Sequence, residues 1–334
     1  MTIASDNSSA RELTYLEAIW EAEHEELERD DSVFLIGEDV KSNLYGTTRG
    51  FVEDFGEHRI RNTPLSEAGI VGAGVGAAMA GMRPIVDLTF ASFIFCAMDQ
   101  VISQAAKSRY MFGGQTSVPL VIRAAMYYGG RATAAHHSDR PYPMLMNMPG
   151  LKIITPSTPA DMKGLLKSAI RDDDPVLCFE DCTLWPRRLR GPVPEGRDHV
   201  VPLGSAAVRR RGTDVTVVAI AGTGVHALSA AQTLAEEGIS VEVVDPRSLV
   251  PMDWPTIVNS IAKTGNLVVV DPAHRTCSAA SEIVATAFEE LGSQLRRARR
   301  ITTPDLLIPF SPALEKGMYP DSKKIADTIR AMVG

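Results

Sequence analysis

Five short apolar runs limit what the first half of this chain can fold into: "VFLIG" (33–37), "RPIVDLTF" (83–90), "SVPLVIRA" (117–124), "LKIITP" (151–156) and "PVLCFE" (175–180). Most are apolar nearly throughout and do not alternate with polar residues, the pattern of strands buried on both faces. Helical signals fall between and before them. Thr14 with Glu17 forms a capping box, and Leu16, Ile19, Trp20 and Leu27 follow at helical spacing. Ser157 ahead of Pro159 and Asp161 marks another helix start, with the helix running to about Arg171. Buried strands alternating with helices predict a mainly parallel sheet covered on both sides, an α/β fold.

The rhythm breaks at "PRRLRGPVPEGRDHVVPLG" (186–204), rich in proline, glycine and charge, which reads as an interdomain linker. Beyond it the alternation restarts with strands at 214–220, 239–246 and 266–272, and helices at 225–237, 253–263 and 278–291. A chain of 334 residues also exceeds what one core usually supports. The expected organisation is a disordered lead (1–12), a first α/β domain (13–185), the linker (186–204) and a second α/β domain (205–334).

A formal charge of −7 argues against a nucleic-acid partner. The clusters Arg187-Arg188-Arg190, Arg209 to Arg211 and Arg296 to Arg300 read as solvated surface. Gly69 to Met82, the longest stretch without a charge or strong polar group, is too short and too glycine-rich for a bilayer. Cys96, Cys178, Cys182 and Cys277 show no metal-binding spacing. A cytoplasmic protein without a membrane partner is expected.

"NTPLSEAGIVGAGVGAAMAGMRP" (62–84) holds a run of glycines behind a single acid. Gly72 to Ala77 formally fits the dinucleotide pattern G-x-G-x-x-A, but the residues before it are polar and carry a proline where that motif needs a buried strand. This disfavours a nicotinamide dehydrogenase. Glycine costs about 1 kcal/mol against alanine inside a helix, so Gly72, Gly74 and Gly76 predict close packing against a neighbour. Glu67, at the helix entrance, has two readings: a first-turn acid favoured by the helix dipole, or a carboxylic acid kept protonated for chemistry. Holding a glutamic acid neutral at pH 7 requires about 3.7 kcal/mol, which an apolar setting can supply.

"GEDV" (37–40), "FGEHRIRNTPLSEAGIVGAGVGAAMAGMRPIVD" (55–87), "AMDQVISQAAKSRYMFGGQTSVPLVIR" (97–123), "HS" (137–138), "PGLKIITPSTPADMKGLLKSAIRDDDPVLCFED" (149–181) and "EGISVEVVDPRSLVPMD" (237–253) occur in this order. Together they resemble the beta subunits of the thiamine-diphosphate-dependent 2-oxo acid and acetoin dehydrogenases, from about Leu13 to Ile329. The resemblance implies a transketolase-like pyrimidine-binding domain followed by a transketolase C-terminal domain. By position it makes Glu67 the acid that hydrogen-bonds the aminopyrimidine ring of thiamine diphosphate, with Phe93 packing on that ring and Thr89 lining the slot. It makes His137 the active-site histidine, with His136 as the fallback; histidine titrates near neutrality, as proton transfer requires. Ala169, Asp172 and Asp174 occupy the positions where the family can hold a structural potassium ion; exposed acids following a helix are the other reading.

The GDG…Asn signature that holds Mg2+ and the cofactor's diphosphate occurs nowhere in this sequence. In the family it belongs to an alpha subunit, so an alpha2beta2 heterotetramer is implied, with the beta chain inactive alone. Departures from the family pattern cluster on the substrate side: Asp139 and Arg140 follow "HS", and Asn147 replaces a histidine. They leave two donors open. One is a 2-oxo acid or acetoin, with the acyl unit passed to a lipoyl acyltransferase. The other is a ketose phosphate met by Arg140, with a two-carbon unit passed to an acyl-carrier protein. A non-catalytic scaffold subunit is the third possibility, disfavoured by the retention of Glu67, Phe93 and His137.

Overall fold

The computed structural model describes residues 11–129 and 133–333. Its strands are, in chain order, β1 (Arg11–Thr14), β2 (Val33–Gly37), β3 (Ile60–Asn62), β4 (Arg83–Phe90), β5 (Val121–Met126), β6 (Lys152–Ile154) and β7 (Val176–Asp181). Then follow β8 (Arg190–Val193), β9 (Ala207–Arg210), β10 (Val215–Ala219), β11 (Val241–Asp245), β12 (Ser248–Val250), β13 (Asn266–His274) and β14 (Arg297–Thr303). The first large sheet has the order β12-β6-β7-β5-β4-β2-β3 and the second the order β14-β13-β10-β11-β9. Each is parallel except for one antiparallel edge strand, β12 on β6 and β9 on β11. The expected α/β architecture of two helix-covered sheets is present.

Alternate residues of each strand feed opposite faces, as the pleat requires. Val86 and Ile122 point to one apolar cluster, and their neighbours Ile85 and Val121 to another. The first of these clusters continues across the domain seam through Leu177, Val218 and Val269. The seam is also polar and shares a sheet: β12, from the second half of the chain, hydrogen-bonds to β6 and completes the first sheet. Asp161 receives Arg209 and, at 3.1 Å, Arg247.

Local signals acted largely as expected. Thr14 caps the helix Tyr15–Arg29 with the full capping box, and Gly238 follows the helix Thr223–Glu236 at φ 81°. Three details differ. Thr158, not Ser157, caps the helix Pro159–Arg171, accepting from the Asp161 N–H; Ser157 instead hydrogen-bonds Asp245 across the seam. Arg11 and Glu12, placed in the lead, pair as β1 with β8, which lies inside the expected linker; residues 1–10 of that lead lie outside the described residues. Arg297 to Arg300 are solvated for the most part, yet they open the edge strand β14.

The glycine helix, Glu67–Met79, corrects a further expectation. Only Gly74 is required by close approach, since a Cβ there would lie 2.7 Å from Val86 Cγ2. At Gly72 an added carbon would make an ordinary contact of 3.5 Å, and at Gly76 it would meet nothing within 4 Å.

Candidate active site

Four of the predicted site residues, Glu67, Thr89, Phe93 and His137, lie around the carboxyl ends of β2 and β4, the edge at which parallel α/β sheets bind ligands. Glu67 opens its helix half-buried, behind Ser66, whose side chain makes no cap hydrogen bond. Glu38, directly after β2, lies close enough to feel it. Burial first, then Asp39 and Glu67, hold the Glu38 carboxyl above the usual carboxylate range. Glu38 also shares a small cleft with Tyr45, Asp87 and Thr89. Sequence reasoning missed Glu38 as a site residue. The signal was available: a carboxylate immediately after a fully buried strand.

Thr89 sits in β4 with φ 61°, a left-handed conformation that a β-branched residue adopts only when its surroundings impose it. Its N–H donates to Asp87 Oδ1 at 2.8 Å. The strand register shifts between Asp87 and Phe90, and the chain then turns into the 3-10 segment Ala91–Ala97 that carries Phe93. Phe93 is half-buried. Its ring meets that of His137 edge-on, at 5.3 Å and 71°, and Phe90 meets the same histidine at 4.7 Å and 78°. His137 ends the short helix Ala134–His137 and is half-buried, whereas His136 is exposed. The geometry therefore brings His137, and not His136, to the aromatic pair.

Arg140, expected on the substrate side, is engaged by protein acceptors. It is 5% exposed, and each of its three nitrogens has a protein acceptor: Pro272 O for Nε at 2.9 Å, Thr303 Oγ1 for Nη2 at 3.1 Å, and Ser138 O for Nη1. Asp139 is half-buried, and its N–H donates to Ser92 Oγ at 3.2 Å. At the positions expected for potassium, the two acids carry basic partners. Lys152 Nζ lies 2.7 Å from Asp172 Oδ1 and 3.2 Å from Asp174 Oδ2, and Arg109 also pairs with Asp174. Basic side chains already supply the positive charge, and Ala169 lies buried in the preceding helix. Among the described residues no group of three or more His, Cys, Asp or Glu is placed to hold a metal.

Beneath the site lies a buried ionic network that periodicity gave no hint of. Neighbouring strands set Asp87 opposite Arg123, and Arg123 opposite Cys178. Arg123 pairs with Glu23 at 2.6 Å, Glu180 at 2.7 Å and Asp87 at 3.4 Å. Three carboxylates around one guanidinium leave an excess of negative charge. Burial, outweighing the Arg123 pairing, pushes the Glu23 carboxyl up to about 7, and its Oε2 has no hydrogen-bond partner.

A raised carboxyl pKa means that the fold favours the protonated form. The Glu23 contribution to stability is thus complete below about pH 4.5, falls as pH rises and is gone above about pH 7. A rise of this size amounts to roughly 3 kcal/mol. Glu23→Gln should therefore flatten the decline in unfolding free energy between pH 5 and pH 8 in urea titrations. An unchanged slope would contradict this assignment.

Fold and site together define a two-domain chain of the transketolase type. The family described as "Transketolase, pyrimidine binding domain" matches residues 11–185, and that described as "Transketolase, C-terminal domain" matches residues 204–325. The chain is 42% identical over 341 residues to the acetoin:2,6-dichlorophenolindophenol oxidoreductase subunit beta of Bacillus subtilis (strain 168), covering 97% of this chain and 98% of that one. It is 43% identical to the 2-oxoisovalerate dehydrogenase subunit beta of the same organism, covering 96% and 98%. The chain belongs to the family of the beta subunits of the 2-oxo acid and acetoin dehydrogenases. A solved structure titled "Split gene transketolase, inactive beta4 tetramer" superposes with a TM-score of 0.76 at 23% identity, covering 96% of this chain and 98% of that one, and shows the same fold. Among the described residues no helix is long and apolar enough to cross a membrane.

Proposed function

We propose that this chain is the beta subunit of a thiamine-diphosphate-dependent dehydrogenase component. Its reaction is the decarboxylation of a 2-oxo acid, or the cleavage of acetoin, with transfer of the acyl unit to a lipoyl carrier. The observation that carries the reading is the convergence of Glu67 and Glu38 with Thr89, Phe93 and His137 at one sheet edge. Thiamine diphosphate would supply the electron sink that lets a carbon–carbon bond beside a carbonyl break.

The residues present fit that group. A carboxyl at Glu67, half-buried at the entrance of its helix, suits a hydrogen bond to a ring nitrogen. Phe93 offers a half-buried ring face or edge for packing. Thr89, forced into its left-handed turn, brings backbone toward the same slot. His137, against the Phe90 and Phe93 rings, would orient the substrate carbonyl and hand a proton to its oxygen. Mg2+ and the diphosphate fall to an alpha-type partner carrying the GDG…Asn motif that this sequence lacks, in an alpha2beta2 assembly. The ketose-phosphate alternative loses its main support, because Arg140 is engaged inside the protein.

Reconstitution with such a partner tests the proposal. Decarboxylation of pyruvate or a branched-chain 2-oxo acid, or cleavage of acetoin, should require both chains, thiamine diphosphate and Mg2+. A stable, cofactor-free homodimer that gains no activity with any such partner would count against it and favour the scaffold reading.

A further inference from the structure

We propose that Arg140 is a positioning residue that clasps the His137 segment to the C-terminal domain, so that the second domain sets the orientation of the catalytic histidine. The inference rests on the reading of His137 given above. Arg140 lies three residues beyond that histidine, buried in the domain seam. On its own side it donates to Ser138 O, the carbonyl next to His137. On the other side it donates to Pro272 O in β13 and to Thr303 Oγ1 in β14, and Thr303 Oγ1 itself donates to Pro272 O at 2.6 Å.

The guanidinium carbon lies 5.1 Å from the Tyr128 ring centroid and 5.2 Å from that of Tyr319, one tyrosine from each domain. A planar cation suits this position, because it stacks on rings while its nitrogens fan out to separate carbonyls. Among the described residues Arg140 makes no ion pair with a carboxylate, so its contacts are directional and not simply neutralising. Two further ties flank it. The Asp139 N–H donates to Ser92 Oγ, next to Phe93, and the Tyr142 hydroxyl donates to Asp271 in β13. The segment 137–142 is therefore held between the cofactor-side aromatic and the second sheet.

The test compares Arg140→Ala and Thr303→Val with wild type in the complex reconstituted with the diphosphate-binding partner. Arg140→Ala should lower kcat by about 10²-fold, the usual cost of misplacing a catalytic group by an ångström, while KM and cofactor affinity stay near wild type. Guanidinium ion, added far below denaturing concentrations, should restore part of the lost kcat. Amide exchange in residues 134–142 should speed up in Arg140→Ala and recover with guanidinium. Thr303→Val, which removes one acceptor and leaves the arginine, should show the same pattern more weakly. An Arg140→Ala complex with unchanged kcat per bound cofactor, or unchanged exchange in 134–142, overturns the proposal. If wild type shows no thiamine-diphosphate-dependent turnover, the functional reading fails; the exchange comparison then still decides whether the clasp exists.

Discussion

Glu67→Gln in the reconstituted complex should lower decarboxylation by about 10³-fold, in the range that a general acid–base group contributes, and leave the assembly intact. The amide keeps the length and hydrogen-bonding capacity of the side chain but cannot exchange a proton with a ring nitrogen. Glu38 remains nearby, yet it follows β2 and not the helix entrance, so it does not substitute in place. Hydrogen–deuterium exchange at the cofactor's reactive carbon separates this from a folding defect. It should be near background in the variant, while gel filtration still shows the full assembly. Wild-type exchange rates in Glu67→Gln would remove this residue from the mechanism.

The second large effect is on stability. Arg123→Met should cost about 3–5 kcal/mol at pH 8, the usual result of removing one partner from a buried charge cluster. It strands Glu23, Glu180 and Asp87 around an uncharged side chain. At pH 5 the loss should be smaller, since carboxyls already raised by burial, as Glu23 and Glu180 are, take up protons readily once the cation is gone. Urea unfolding at the two pH values reads the difference. Equal losses at both would mean that packing, not charge, dominates there. Because Asp87 also receives the Thr89 N–H, the variant should weaken cofactor binding as well.

What the sequence made legible follows from which forces are local. Apolar runs gave β2 and β4 to the residue: β2 is buried throughout, and β4 buries Pro84 to Val86 and Leu88. Caps such as Thr14 are visible because donor and acceptor lie three residues apart. β8, β12 and β14 were missed because each is an edge strand whose identity depends on a distant partner, and β8 and β14 are also half solvated. In the site, Glu67, Phe93 and His137 were carried by family resemblance, and the structure supplies the ring contacts between the last two. The hydrogen bonds of Arg140 were not legible for a reason of the same kind: its acceptors lie 132 and 163 positions away. Glu23 and Arg123 are 100 positions apart and invisible to any periodicity.

The central claim is that this chain contributes one half of a cofactor site whose other half lies on a partner. Equilibrium titration of thiamine diphosphate with Mg2+ into this chain alone, the partner alone and the two together tests it most directly. Tight, saturable binding should appear only in the mixture, with Phe93→Ala in this chain weakening it. Equally tight binding by this chain alone, or by the partner alone, would contradict a shared site.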